Sequence, residues 1–265
     1  MLQIKNVHKT FNPGTINEKK ALNGIDIELN EGDFVTVIGG NGAGKSTMLN
    51  MIAGVYPVDC GSIVIDGIDV TKLPEHKRAK YIGRVFQDPM NGTAANMQII
   101  ENLALASRRG AHRGLGPGVK HKEKEHYQEL LKSLDLGLED RLTSKVGLLS
   151  GGQRQAITLL MATMCKPKLL LLDEHTAALD PKTAKKVLDL TEKIVAENNL
   201  TTIMITHNMK DAIAIGNRLI MMNDGKIIYD VEGDEKKALT TSDLLAKFKL
   251  TSGEELDDDK ILLSE

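Results

Sequence analysis

The chain has 265 residues, with 34 Lys and Arg against 36 Asp and Glu for a formal charge of −2, and 41% of its residues are hydrophobic while 26% are charged. That composition is globular and long enough to bury a core, and its charge balance lends no support to nucleic-acid binding, which draws on a net basic surface. Cys60 and Cys165, with no Cys-x-x-Cys or His-rich spacing around them, suggest neither a disulfide framework nor a zinc site, no apolar run reaches the ~18 residues that span a bilayer, and Met1 to Asn6 lack a secretory signal's apolar region, so a cytosolic location is expected.

Leu2, Ile4 and Val7, then Leu22, Ile25, Ile27 and Leu29, then Ile63 and Ile65 alternate with polar residues and predict a small antiparallel β layer. Phe34–Ile38 is almost continuously apolar and ends in glycine, as a central strand buried on both faces does. From about Asn91 to Val146 the alternation disappears, and helical stretches at Ile99–Ser107 and Glu123–Leu136 predict a helical insertion. Ile157, Leu160, Met161 and Met164 recur at helix spacing. Leu169–Leu172 is a second buried strand, ending in acid. Ala184, Val187, Leu188, Thr191, Ile194 and Val195 mark a helix that Asp180 caps and Pro181 opens. Thr201–Thr206 predicts a strand, and Leu219–Met222, Asn223-Asp224-Gly225 and Ile227-Ile228 a hairpin. Strand and helix periods in alternation give an α/β fold with a largely parallel sheet.

Gly39-Gly40-Asn41-Gly42-Ala43-Gly44-Lys45-Ser46 fits G-x-x-x-x-G-K-[ST] between a buried strand and a helix, the setting in which successive N–H groups converge on phosphate oxygens. Lys45 would bridge the β- and γ-phosphates, Ser46 would offer its hydroxyl to Mg²⁺, and Thr47 adds a hydroxyl beside it. Asp173 and Glu174 close the Leu169–Leu172 strand at its carboxyl end, where open α/β sheets bind ligands. Asp173 suits a Mg²⁺ contact, and Glu174 suits the orientation and deprotonation of water. Ser150-Gly151-Gly152-Gln153 forms the start of another helix, with Ser150 as its cap and two glycines that leave the first N–H groups open to an anion.

With Leu149, that segment reads Leu-Ser-Gly-Gly-Gln, and here the chain resembles the ATP-binding cassette (ABC) ATPases along Leu2 to Val231. The resemblance implies a P-loop core with an antiparallel β subdomain and an α-helical subdomain. Residues 1–233 form the cassette, with the core and β layer at about 1–90 and 159–233 and the helical subdomain at about 91–158. Residues 234–265 are a short extension ending in an acidic, mobile tail, Glu254–Glu265. By the same resemblance Gln87 senses Mg²⁺ and the attacking water, Asp180 belongs to the loop that follows the acidic strand, and His207 contacts the γ-phosphate. Phe11 falls where the family stacks an aromatic on adenine, and covering the β layer is its other reading.

The family also implies pairing. Two copies, or this chain and a related ATPase, associate head to tail, so that each ATP is held by Lys45, Ser46, Asp173, Gln87, Glu174 and His207 of one copy and by Ser150 and Gly152 of the other. An integral membrane permease would dock on Asn91–Ile100 through Ala94, Ala95, Met97 and Ile99, placing the chain on the cytoplasmic face of the membrane. Lys145-Val146-Gly147-Leu148 lacks the acid that many family exporters carry before the signature. Import is therefore implied, with amino acids as the solute class and a substrate-binding protein as a further partner, and export is the alternative. A soluble ABC machine acting on ribosomes or DNA is a rival reading, disfavoured by the single phosphate loop, and a P-loop kinase is disfavoured by the signature. His175 stands where the family usually has Pro and is read either as a pH-sensitive neighbour of Glu174 or as a turn residue. Arg108–His126, rich in Lys, Arg, His and Gly, is read as a solvated loop, with a lipid-headgroup contact as its alternative.

Overall fold

The alternating residues at the start of the chain become paired strands in the computed structural model, which describes residues 1–111, 118–119 and 121–252. Strand β1 (Leu2–Phe11) runs antiparallel to β2 (Lys19–Leu29), with Leu2 opposite Leu29 and Ile4 opposite Ile27, all four buried. Strand β3 (Phe34–Ile38), buried at every position, leads through the glycine loop into α1 (Lys45–Ala53). Strand β4 (Cys60–Ile65) pairs antiparallel with β1, β5 (Ile68–Asp69) pairs with β4, and α2 (Glu75–Arg78) follows. The buried guanidinium of Arg78 donates to the carbonyl oxygens of Met51, Ile52, Thr71 and Leu73. It thereby gives donors to the last carbonyls of α1, adding to the Gly54 N–H that Met51 already receives from the helix cap.

These elements belong to a unit made of Met1–Arg78 and the chain from Asn199, and Ala79–Asn198 forms a second unit. The second holds β6 (Ile82–Val85), α3 (Ile99–Ser107), α4 (His121–Lys132), α5 (Gly151–Thr163), β7 (Leu169–Asp173) and α6 (Pro181–Asn198). Strands β6 and β7 are parallel, with Ile82 beside Leu169 and Val85 beside Leu172. Its helices enclose a core of Ile99, Leu103, Leu131, Leu138 and Ile157. Helix α3 spans the predicted residues. Helix α4 ends at Lys132 instead of Leu136, because Asp135 takes a left-handed φ of 53° that no α-helix continues through.

The chain then returns to the first unit with β8 (Thr201–Ile205), α7 (Met209–Ala214), β9 (Arg218–Asn223), β10 (Lys226–Glu232), α8 (Gly233–Lys237) and α9 (Thr241–Ser252). Strand β3 lies between β8 and β9 and parallel to both, the central place its apolar run implied. Strands β9 and β10 turn through Asp224 and Gly225, with φ of 46° and 70°, the positive pair a tight hairpin demands. Leu244 and Phe248 of the C-terminal extension are buried with Ile38, Met209, Leu219 and Met221, so α9 packs on this unit's core.

The acidic run Glu254–Glu265 lies outside the described residues, as do 112–117 and 120 of the basic stretch. Within that stretch, Arg108 is engaged by Glu123, whose two carboxylate oxygens accept from its Nη2 at 3.1 and 3.0 Å. Among the described residues no helix is long and apolar enough to cross a membrane.

Candidate active site

In the first unit the phosphate loop is shaped by glycines that accept no side chain. Gly39 has φ 149°, and a Cβ there would lie 2.2 Å from the Met222 carbonyl oxygen; Gly44 has φ 100°, and its Cβ would lie 2.5 Å from that of Ala21. Gly44 caps α1 without any side-chain hydrogen bond, which leaves the first-turn N–H groups and the positive end of the helix dipole facing the loop. Ala43 is buried and its N–H donates to the Gly40 oxygen, closing the loop, while Asn41 and Gly42 are exposed at its tip. Lys45, 5% exposed, curls back so that Nζ donates to the carbonyl oxygens of Gly39 at 2.7 Å and Gly40 at 3.0 Å. Ser46 is exposed and Thr47 half-buried. His207, just past β8, lines one small cavity with Gly39, Met209, Met221 and Phe248. The loop and the histidine, far apart in sequence, are thus neighbours.

Phe11 ends β1 half-buried, its ring edge-on to Tyr56 with centroids 5.2 Å apart and Lys9 Nζ 5.7 Å from its centroid.

In the second unit Asp173 ends β7, and Glu174 follows with φ 47°, a left-handed conformation for a residue with a side chain. Asp173 Oδ2 lies 3.8 Å from Arg84 Nη2, and the Arg84 guanidinium also lies 4.5 Å from the Phe86 ring. Gln87 is exposed at the start of the loop beyond β6, and Asp88 next to it accepts from the Met90 N–H at 2.8 Å. His175 is 2% exposed, and burial pushes its imidazole down to about 4, so it stays neutral near pH 7 and does not serve as a sensor there. Its Nε2 lies 3.1 Å from Thr191 Oγ1 on α6.

The signature segment is a reciprocal cap. Ser150 Oγ accepts from the Gln153 N–H and Gln153 Oε1 accepts from the Ser150 N–H, both at 3.3 Å. Gly151 is exposed. Gly152 is required, because a Cβ there would lie 2.2 Å from Thr183 Cγ2. The Thr183 N–H in turn donates to Asp180 Oδ1 at 3.1 Å, and hydrogen bonds from the Thr183 side chain first and then its backbone hold the Asp180 carboxyl below its usual range. Thr183 so links the signature glycine to the cap of α6.

Sequence reasoning misses two residues with structural roles here, Arg84 and Asn102, and sees Thr191 only as part of its helix's stripe. Arg84 is a charge inside a short strand. Asn102 is a buried amide on an apolar helix that accepts from the Ala94 N–H at 2.8 Å and donates to the oxygens of Ala94 and Gln98. Thr191 fits the apolar stripe of its helix, and its hydroxyl is what meets His175. The bonds of Asn102 tie residues 94–98 to α3, and Gly147 N–H to Ala95 oxygen with Val146 N–H to Met97 oxygen ties them to the stretch before the signature. One expectation fails at this point: Ile99 is fully buried in the helical core, so it is no surface contact, whereas Ala94, Ala95 and Met97 are partly exposed.

The donors suit magnesium nucleotide. A serine hydroxyl, as at Ser46, and an aspartate carboxylate, as at Asp173, are each hard oxygen donors of the kind that Mg²⁺ takes.

Residues 22–177 match the sequence model of the family described as ABC transporter. Over 254 residues the chain is 46% identical to the tyrosine transport ATP-binding protein of Clostridioides difficile, covering 94% of this chain and 99% of that one. The chain belongs to the ABC transporter ATPases. It is 33% identical over 231 residues to the spermidine/putrescine import ATP-binding protein of Haemophilus influenzae, covering 87% of this chain and 57% of that protein, so it spans little more than half of that relative. A dimeric ATP-binding cassette solved in a post-hydrolysis state with ADP and phosphate is similar in structure, with a TM-score of 0.75 at 32% identity over 88% of this chain and 98% of that one. This ABC ATPase thus has the P-loop α/β fold that its motifs implied.

Proposed function

We propose that the chain is the ATP-hydrolysing subunit of an amino-acid importer, working as a pair of cassettes on the cytoplasmic face of a membrane permease, with a substrate-binding protein delivering the solute. The observation that carries this reading is the 46% identity to a tyrosine transport subunit over nearly the whole of both chains. In this reading the N–H groups of Gly42–Ser46 and the Lys45 ammonium take the β- and γ-phosphates. Lys45 exchanges the carbonyl oxygens of Gly39 and Gly40 for anionic oxygens, which form the stronger, charge-assisted bonds. Ser46, Gln87 and Asp173 would hold Mg²⁺, which would neutralise charge on the phosphates. Glu174 takes a proton from the attacking water, and His207 contacts the γ-phosphate from beside Gly39. Phe11 stacks on adenine, with Tyr56 buttressing its edge. Ser150, Gly151, Gly152 and Gln153 act on the nucleotide of the second copy, with Asp180 beside the pairing surface, because ATP closes the pair and ADP does not.

The test is reconstitution with the cognate permease and binding protein. Turnover should rise with an aromatic amino acid present, and Glu174→Gln should lower it by roughly 10² to 10⁴ while ATP still binds. Near-wild-type turnover in that variant would overturn the assignment of the base, and indifference to every amino acid would overturn the solute class.

A further inference from the structure

Glu174 is held in a conformation that it does not favour. A φ of 47° brings the Cβ of an L-residue against its own backbone, and such residues persist only where their surroundings hold them. On the N-terminal side the holder is β7. On the C-terminal side it is a β-turn, in which the Ala177 N–H donates to the Glu174 carbonyl oxygen at 3.0 Å and His175 occupies the second position. That position is where proline, with its φ locked near −65°, is favoured, and His175 has no such lock.

It has a tether instead. Thr191, 1% exposed, donates its single hydroxyl hydrogen to the Val187 carbonyl oxygen at 2.8 Å. Only lone pairs then face His175, so Nε2, at 3.1 Å, must carry the hydrogen between them. The imidazole is thus a donor committed to α6. We propose that His175 is a positioning residue for Glu174, its bond to Thr191 fixing the turn that keeps Glu174 in the left-handed conformation and so aims its carboxylate. The inference rests on the reading of Glu174 as the general base, and it concerns how that base is held.

The experiment uses the cassette assembled with its permease. Thr191→Val removes the acceptor at nearly constant volume, and Thr191→Ser keeps it. The Val variant should lose about tenfold in kcat with KM for ATP changed less than twofold, and the amides of residues 175–177 should exchange faster with solvent, while the Ser variant keeps wild-type values on all three measures. In a His175→Pro background, where the ring itself fixes the turn, Thr191→Val should change kcat no further. A Val variant that lowers the melting temperature but leaves kcat and turn exchange untouched would reduce the contact to packing and overturn the proposal. So would equal losses for Val and Ser, or an undiminished effect of Val in the Pro background. Should Thr191→Val fail to fold, His175→Gln, which retains a donor, against His175→Leu puts the same question, and equal kcat in the two overturns it. Glu174→Gln run in parallel separates the two readings. If it retains turnover the base is misassigned; if it is inactive while Thr191→Val is wild-type, only the tether falls.

Discussion

Oδ2 of Asp173 lies 3.8 Å from Nη2 of Arg84, so the carboxylate proposed for Mg²⁺ shares its end of the β6–β7 pair with a fixed cation. The side chains are only 12% and 15% exposed, and the Phe86 ring supports the guanidinium from 4.5 Å. A cation there competes with a divalent ion for the same charge. Arg84→Met keeps the packing on Phe86 and removes the charge. It should lower the Mg²⁺ concentration for half-maximal turnover by about fivefold, the equivalent of about 1 kcal/mol, which is the scale of a partly screened pair. Mg²⁺ titration at saturating ATP, with Mn²⁺ binding measured in parallel, checks this; unchanged titrations in both would show that the pair does not restrain the carboxylate.

The second prediction concerns pH. Lys9 Nζ donates to Asp59 Oδ1 at 2.7 Å, and the Thr10 N–H donates to Oδ2 at 2.6 Å. Burial works against the charged Asp59, but these bonds outweigh it and hold the carboxyl below its ordinary value. A folded-state value below the unfolded one stabilises the fold above pH ~4 and loses that contribution as the pH falls through the folded value. Asp59→Asn should therefore lower the urea midpoint at pH 7, and the gap from wild type should shrink below pH ~4. The Asp59 side chain is 38% exposed, so solvent screening keeps the effect small, under about 1 kcal/mol. A gap that widens in acid would refute the linkage.

What the sequence discloses here is whatever a residue does within its own few neighbours. Strand β3 is legible because five buried residues run into a glycine, and Ser150 and Asp180 are legible because a cap is a local bond. Ile99 shows the limit. Its apolar character marks it as a contact, but only the assembled core of Leu103, Leu131 and Ile157 decides that the contact is internal. The same holds for Arg84 and Thr191, whose partners come from other elements, and for His175, whose chemistry is visible in sequence while its burial is not. The positive φ of Glu174 carries no sequence signal either, because glycine, the residue that would announce it, is absent there.

The last prediction tests pairing. Ser150 and Lys45 lie in different units of the chain, and the reading proposed here joins Ser150 of one copy to the nucleotide held by Lys45 of the other. Ser150→Arg should leave ATP binding by the isolated chain unchanged and abolish hydrolysis by the pair. Replacing the capping hydroxyl also costs α5 about 1 kcal/mol, so melting curves are measured beside turnover. Lys45→Ala should bind nucleotide poorly and hydrolyse none. In a mixed pair, one site carries both defects and the other has wild-type Lys45 and Ser150. Equal mixing places half of the pairs in that state with one intact site of two, so about a quarter of the wild-type rate should return if one site turns over alone. That recovery, absent from either protein by itself, is specific to a site shared between copies. Weak nucleotide binding by isolated Ser150→Arg chains would place Ser150 on its own copy's nucleotide and remove the basis for the pairing.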